Sequence, residues 1–245
     1  MRKVLTVFVV GSLALVLASC GSTSRRSFVR IVNASPDAGT IDVTLNGSKF
    51  LSGLAYGSGS NYFTVAPGTN LDFKIDRSSV TTGSFDTKIT LVDKAYYTIS
   101  AVGLVGSSTF SILQTVDDHS APGSGDVKIR VLQLDPNFHV TASDSGPVDV
   151  YITAPALPLN GTTTTFSDLT FGSPGNYASV KVPTDGNQEI RVAAAGDPDP
   201  NGSNLKGWDS QTLALTAGQV RTYILLENTT GTPFPEQSLL LKDVN

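Results

Sequence analysis

Apolar residues recur along most of this chain with a period of two rather than 3.6. Ile41, Val43 and Leu45 alternate with Asp42, Thr44 and Asn46, and Leu71, Phe73 and Ile75 alternate with Asp72, Lys74 and Asp76. Farther on, Val148, Val150 and Ile152 alternate with Asp149, Tyr151 and Thr153, and Ile190 and Val192 with Glu189 and Arg191. Successive side chains of a strand point to opposite faces, so each run predicts a strand with one face buried and the other wet. Roughly seven such runs occur in each half, separated by Gly or Pro turn signals, as in a sandwich or small barrel.

The two halves repeat each other. Leu54-Ala55-Tyr56-Gly57-Ser58-Gly59-Ser60-Asn61-Tyr62-Phe63-Thr64-Val65 lines up with Leu169-Thr170-Phe171-Gly172-Ser173-Pro174-Gly175-Asn176-Tyr177-Ala178-Ser179-Val180. Val29-Arg30-Ile31-Val32 likewise matches Ile129-Arg130-Val131-Leu132, with Pro36 over Pro136. Asp42-Val43 matches Asp149-Val150, and Leu91 and Thr98 match Leu215 and Thr222. The order is kept while the offset grows, which places insertions in the second half near 138–146, 157–165 and 197–206. All three are rich in turn and loop residues. The chain therefore divides into a first repeat, 28–116, a polar linker, 117–126, and a second repeat, 127–245. The expected fold is all-β, two tandem immunoglobulin-like β-sandwich domains following a signal peptide. The polar linker further predicts that they fold separately and move relative to each other.

The start of the chain has a different character. Met1-Arg2-Lys3 is cationic, and Val4 to Leu17 is uncharged and mostly apolar. That run is too short for a membrane helix, which needs about 20 apolar residues, and reads as the core of a secretion signal. Leu17-Ala18-Ser19-Cys20-Gly21 resembles a bacterial lipobox, and Cys20 is the single Cys of the chain. The expectation is a signal peptide over 1–19, lipid attachment at Cys20 and a tether over 20–27 that includes Arg25 and Arg26. By resemblance to enteric lipoproteins, in which Asp after the Cys is an inner-membrane retention signal, Gly21 there implies the outer membrane of the bacterial cell envelope, where the cell has one.

Composition supports the strand reading and narrows the chemistry. There are 27 Ser, 27 Thr and 23 Gly, but one Met. Thr favours strands, Ser and Gly favour turns, and strong helix formers are scarce. With a net charge of −4, nucleic acid is not an expected partner. One Cys and two His exclude an intrachain disulfide and a conventional structural zinc site. His119 falls in the linker and His139 in an insertion, both read as solvent-facing. No nucleophile elbow or phosphate-binding loop occurs, and Asp117-Asp118 sits in the linker. Asp197-Pro198-Asp199-Pro200-Asn201-Gly202-Ser203 copies the front half of a calcium loop, yet Trp208 occupies the position of the closing acid. A turn-rich loop is the preferred reading, so no metal and no cofactor are assigned. Tyr56 with Phe171, Tyr62 with Tyr177, and Phe85 with Trp208 recur between repeats, as core residues or as ligand-facing aromatics.

The run from Phe28 to Ala38, Phe-Val-Arg-Ile-Val-Asn-Ala-Ser-Pro-Asp-Ala, followed by Ile41-Asp42-Val43, resembles the opening signature of the bacterial family known as domain of unknown function 4397. The Tyr62 segment and Ala95-Tyr96-Tyr97-Thr98 extend the resemblance over nearly all of the first repeat, and the second repeat follows it more loosely. The resemblance implies a fold and a compartment, that of a secreted or envelope-attached protein often with domains in tandem, and does not specify an activity. Many members have His where this chain has Asn33 and Gln133, so any metal or proton-transfer role of that His is lacking here.

Together these features point to a lipid-anchored envelope lipoprotein without enzymatic activity, a binding or adhesion-type module for a glycan or an envelope protein. A structural or assembly component joined by strand addition is the alternative, ahead of a polysaccharide-acting enzyme.

Overall fold

The computed structural model describes residues 24–80, 84–137, 146–184, 186–197, 208–229 and 237–244, and side chains there except those of 208–211. Every regular element among them is a strand. The first repeat contains β1 (Ser27–Asn33), β2 (Ile41–Leu45), β3 (Ser48–Leu54), β4 (Ser58–Gly59), β5 (Phe63–Val65), β6 (Gly68–Arg77), β7 (Phe85–Leu91), β8 (Tyr96–Val102) and β9 (Ser111–Asp117). The second contains β10 (Asp126–Gln133), β11 (Val148–Thr153), β12 (Phe166–Leu169), β13 (Ala178–Lys181), β14 (Asn187–Ala194), β15 (Trp208–Ala214), β16 (Val220–Leu226) and β17 (Gln237–Val244).

These strands form four sheets. One has the order β4-β1-β8-β9, with β5 also paired to β1, and a second has β3-β2-β6-β7. The second repeat gives β13-β10-β16-β17 and β12-β11-β14-β15. Most pairings are antiparallel, but β1 runs parallel to β8 and β10 parallel to β16. In the first repeat the two sheets face each other across Val29, Ile31, Ile41, Val43, Phe73, Ile75, Ile89 and Ile99. In the second, Val127, Ile129, Val131, Val148, Val150, Ile190, Val192 and Tyr223 do the same. The chain is thus an all-β protein of face-to-face sheets, built by the period-two alternation.

The other faces of β1 and β10 depart from that alternation. Both strands are buried almost throughout, because the sheet containing β1 and the sheet containing β10 pack back to back. Val32, Ala34, Val102, Leu132, Leu134, Ile224, Leu226 and Leu241 form a separate apolar cluster between the repeats. The stack therefore has four layers and three interiors. The expected relative motion of two separate domains does not match this seam, since sliding would expose apolar side chains and the buried charges beside them.

A second departure concerns the insertion at 157–165. It supplies Leu159, 1% exposed, to a small cluster with Tyr151 and Ala193 on the outer face of β11 and β14. Asp149 on the same face accepts from the backbone N–H of Asp168 and Gly196. The polar-looking half of β11 is consequently buried as well.

Candidate functional site

Arg30 and Arg130 occupy matching positions on β1 and β10, and both guanidinium groups cross the seam. Each Nε first bonds within its own repeat, Arg30 to Thr98 Oγ1 at 2.8 Å and Arg130 to Thr222 Oγ1 at 2.9 Å. The outer nitrogens then engage the other repeat. Arg30 bonds Asp243 and the carbonyl of Lys242, while Arg130 bonds Asp117 and the carbonyl of Val116. Tyr62 donates to Asp117 Oδ2 at 2.6 Å and Tyr177 to Asp243 Oδ2 at 2.7 Å. Each Arg also lies over the Tyr of its own repeat, 4.9 Å from the ring centre in both cases. The two halves of this network are related by a local two-fold.

Burial sets its electrostatics. Burial draws the Arg30 guanidinium downward, but Asp243 and Asp117 outweigh it and hold the group above its ordinary value. Burial and the adjacent Asp117 raise the Tyr62 hydroxyl far above its usual range, and burial raises Tyr177 likewise. Both phenols remain neutral donors. These Asp, Tyr and Arg groups bond one another rather than an open cavity, so their chemistry is spent on joining the repeats.

Asp117 and His119 differ from their expected linker setting. Asp117 is the last residue of β9 and is 5% exposed, held by Thr98, Tyr62 and Arg130. Asp118 alone of the pair faces solvent, lowered to about 2 by bonds from Ser120 and then Lys128. The His119 ring stacks on Tyr96 with centres 3.6 Å apart and meets Tyr62 edge-on. Burial lowers its pKa.

The seam has a direction. Thr98 pairs with Arg30 and Thr222 with Arg130, placing the two guanidinium groups at one level. Beyond them, toward the ends of β1 and β10, comes the apolar cluster, and then Tyr56, whose hydroxyl donates to the Glu227 carbonyl at 2.7 Å. Strands β1 and β10 therefore run side by side in the same sense. Residues entering β1 lie at one end of the body, called here the lower end, and residues leaving β10 lie at the upper end.

At the upper end a cleft of about 130 Å³ is lined by Gln133, Asp135, Pro136, Gly146, Pro147, Thr170 and Phe171. Phe171 is 42% exposed at this cleft, whereas its counterpart Tyr56 packs into the seam. Tyr56 uses its hydroxyl, a group Phe171 lacks, to reach the Glu227 carbonyl. The cleft combines an aromatic face with amide, carboxylate and hydroxyl groups, the elements that take a ligand having one apolar and one polar side.

Asn33, at the position where many members of the resembled family have His, is fully buried. Its amide donates to the carbonyls of Gly39 and Leu54 and its oxygen accepts from the Ser35 N–H. Gln133 accepts similarly from the Asp135 N–H. Both hold the turn after their strand. Asp37 fixes the neighbouring loop by accepting from the N–H groups of Val105 and Gly106 at 2.8 Å each. Phe85 packs edge-on against Phe110. Cys20, His139, Asp199, Asn201 and the Trp208 side chain lie outside the described residues, and with them the lipid site and most of the calcium-like loop. Among the described residues no group of three or more His, Cys, Asp or Glu is arranged to hold a metal. The paired Arg residues were the signal of the seam: each precedes by two an apolar residue that shares its strand face.

No curated protein matches the sequence significantly. One solved structure that matches is described as "The Bacillus anthracis TIE protein", 11% identical over 82% of this chain and 34% of that chain, with a TM-score of 0.22. The chain thus spans about a third of that protein's length. Residues 27–140, which run from β1 through β10, match the family described as "Domain of unknown function (DUF4397)", and over that span the chain resembles this bacterial family.

Proposed function

We propose that the chain is a non-catalytic binding module of the bacterial cell envelope, held by lipid at Cys20, with the outer membrane as its favoured site. In this reading the two repeats are immunoglobulin-like sandwiches that serve as one stiff spacer. The observation that carries it is the placement of the tether and the cleft at opposite ends of parallel strands. The tether enters at Ser27 on β1, while Gln133 at the end of β10 opens the cleft beside the exposed Phe171. A β1 of seven residues spans roughly 20 Å, so a ligand at the cleft is carried well away from the lipid. An aromatic face beside amide and carboxylate groups suits the ring and hydroxyls of a glycan.

Two measurements test the proposal. Metabolic labelling with a palmitate analogue should mark the protein, and Cys20→Ala should abolish both the label and membrane retention. The lipid-free chain, passed over glycan arrays, peptidoglycan and solubilised envelope, should retain a component without turning it over, and Phe171→Ala should reduce that retention. Turnover of a polysaccharide, lost on changing two carboxylates, would replace this reading with an enzymatic one.

A further inference from the structure

The lower end of the first repeat carries an uneven charge distribution. Arg25 and Arg26 are exposed just before β1, and the turn after β7 is pinned beside them. The Arg26 N–H donates to Asp93 Oδ1 at 2.8 Å, the Lys94 N–H donates to the Arg26 carbonyl at 2.7 Å, and Ser27 Oγ donates to the Val92 carbonyl at 2.7 Å. Val92 and Lys94 both project into solvent, Val92 at 59% exposure. Lys94 takes a φ of +64°, a left-handed conformation in which Gly or Asn is the ordinary occupant.

Four other lysines in the lower half are ion-paired. Lys49 pairs with Asp42, Lys88 with Asp72, Lys128 with Asp118 and Lys181 with Asp126. Among the described residues no ion pair engages Arg25, Arg26 or Lys94. Three cations, with Asp93 beside them, therefore lie at the point where the tether leaves the body, next to the exposed Val92.

We infer that this end of the first repeat docks on an anionic lipid surface, with Arg25, Arg26 and Lys94 against the headgroups and Val92 dipping among them. The inference rests on the lipid-anchor reading of Cys20. Six residues, 21–26, separate the anchor from β1, and the seven steps from Cys20 to Ser27 reach at most about 25 Å. The body is thus held within reach of the membrane, where each Arg or Lys is attracted to anionic headgroups and the attraction falls off within a Debye length. Docking orients the strands outward and presents the Phe171 cleft away from the bilayer. At the lower end of the second repeat, Lys181 is already paired with Asp126.

Because Cys20 is the single Cys, the chain from residue 20 onward can be coupled to a maleimide lipid at one place and seated on vesicles. Acetylation of Lys94 is then followed by mass spectrometry, with Lys74 of β6 as the reference. On phosphatidylcholine vesicles containing phosphatidylglycerol, Lys94 should react several-fold more slowly relative to Lys74 than on phosphatidylcholine alone. Arg25→Glu with Arg26→Glu, both exposed and outside the sheets, should remove the protection. Equal reactivity on the two vesicles, or protection that survives the double substitution, overturns the docking. The coupling is chemical, so this outcome is independent of whether the cell acylates Cys20, which the palmitate label reports separately.

Discussion

The guanidinium of Arg30, on the first strand of the chain, closes on the carboxylate of Asp243, on the last, and Arg130 makes the equivalent closure on Asp117. Each contact joins the two repeats, so the ends of the sequence are tied by the same chemistry that ties its middle. All four side chains are at most 2% exposed.

Asp243→Ala should be strongly destabilising, by about 3 to 5 kcal/mol, because it strands a buried guanidinium. Arg30→Met combined with Asp243→Leu should recover a large part of that loss, since no charge is then left without its partner. Urea unfolding midpoints of the two variants, compared at equal slope, check the relation. A single variant as stable as the parent would mean the pair is not buried as described.

Unfolding should be one coupled event rather than two. Leu132, fully buried in the apolar cluster between the repeats, offers the test. Leu132→Asp should lower the stability of the first repeat as well as its own, by several kcal/mol in total, because an unpaired carboxylate is buried against both. Hydrogen exchange read separately on β8 and β16 should show both losing protection.

Stability should fall on mild acidification because of His119. Its folded pKa is depressed by burial, which outweighs Asp117 and Asp243, while Arg30 adds to the depression. The unfolded chain, with the ordinary value of 6.5, binds the proton more readily. The contribution is complete above about pH 6.5 and is lost as pH falls from there through the folded value. Asp118, lowered from 3.8 to about 2, contributes above pH 3.8 and loses that contribution as pH falls toward 2. Thermal midpoints between pH 7 and 5 should decline in the parent and flatten in His119→Phe.

Gly103→Ala should cost more than about 1 kcal/mol. Gly103 has a φ of +78°, and an added Cβ would lie 2.4 Å from the Thr109 carbonyl oxygen, a backbone atom with little room to yield. Gly47→Ala would meet no atom within 4 Å, although its φ of +76° is also left-handed. The difference between the two thermal melts therefore isolates the steric part.

Tyr56→Phe should lose about 1 kcal/mol, the value of its bond to the Glu227 carbonyl. Phe171→Ala should change stability less than a buried aromatic would, since the ring is 42% exposed, yet should weaken capture of a ligand at the cleft. Paired melting and retention measurements separate the two roles of one repeated position.

The sequence by itself determined the strands and the duplication. Ile41, Val43, Phe73, Ile75, Val148, Val150, Ile190 and Val192 reveal their inward face because alternation is a local property, written into neighbouring residues. It also marked Arg30 and Arg130 as equivalent. What only the tertiary structure decided is which polar faces stay wet. Nothing local distinguishes Arg30 from a solvated strand residue, because its burial depends on Asp243, more than two hundred residues away, and on a second sheet covering the first. The same applies to Asp117, whose linker-like neighbours conceal a strand end closed by Arg130. Tyr56 and Phe171 likewise align in sequence, but only the fold puts one ring in the seam, its hydroxyl on a distant carbonyl, and leaves the other facing solvent.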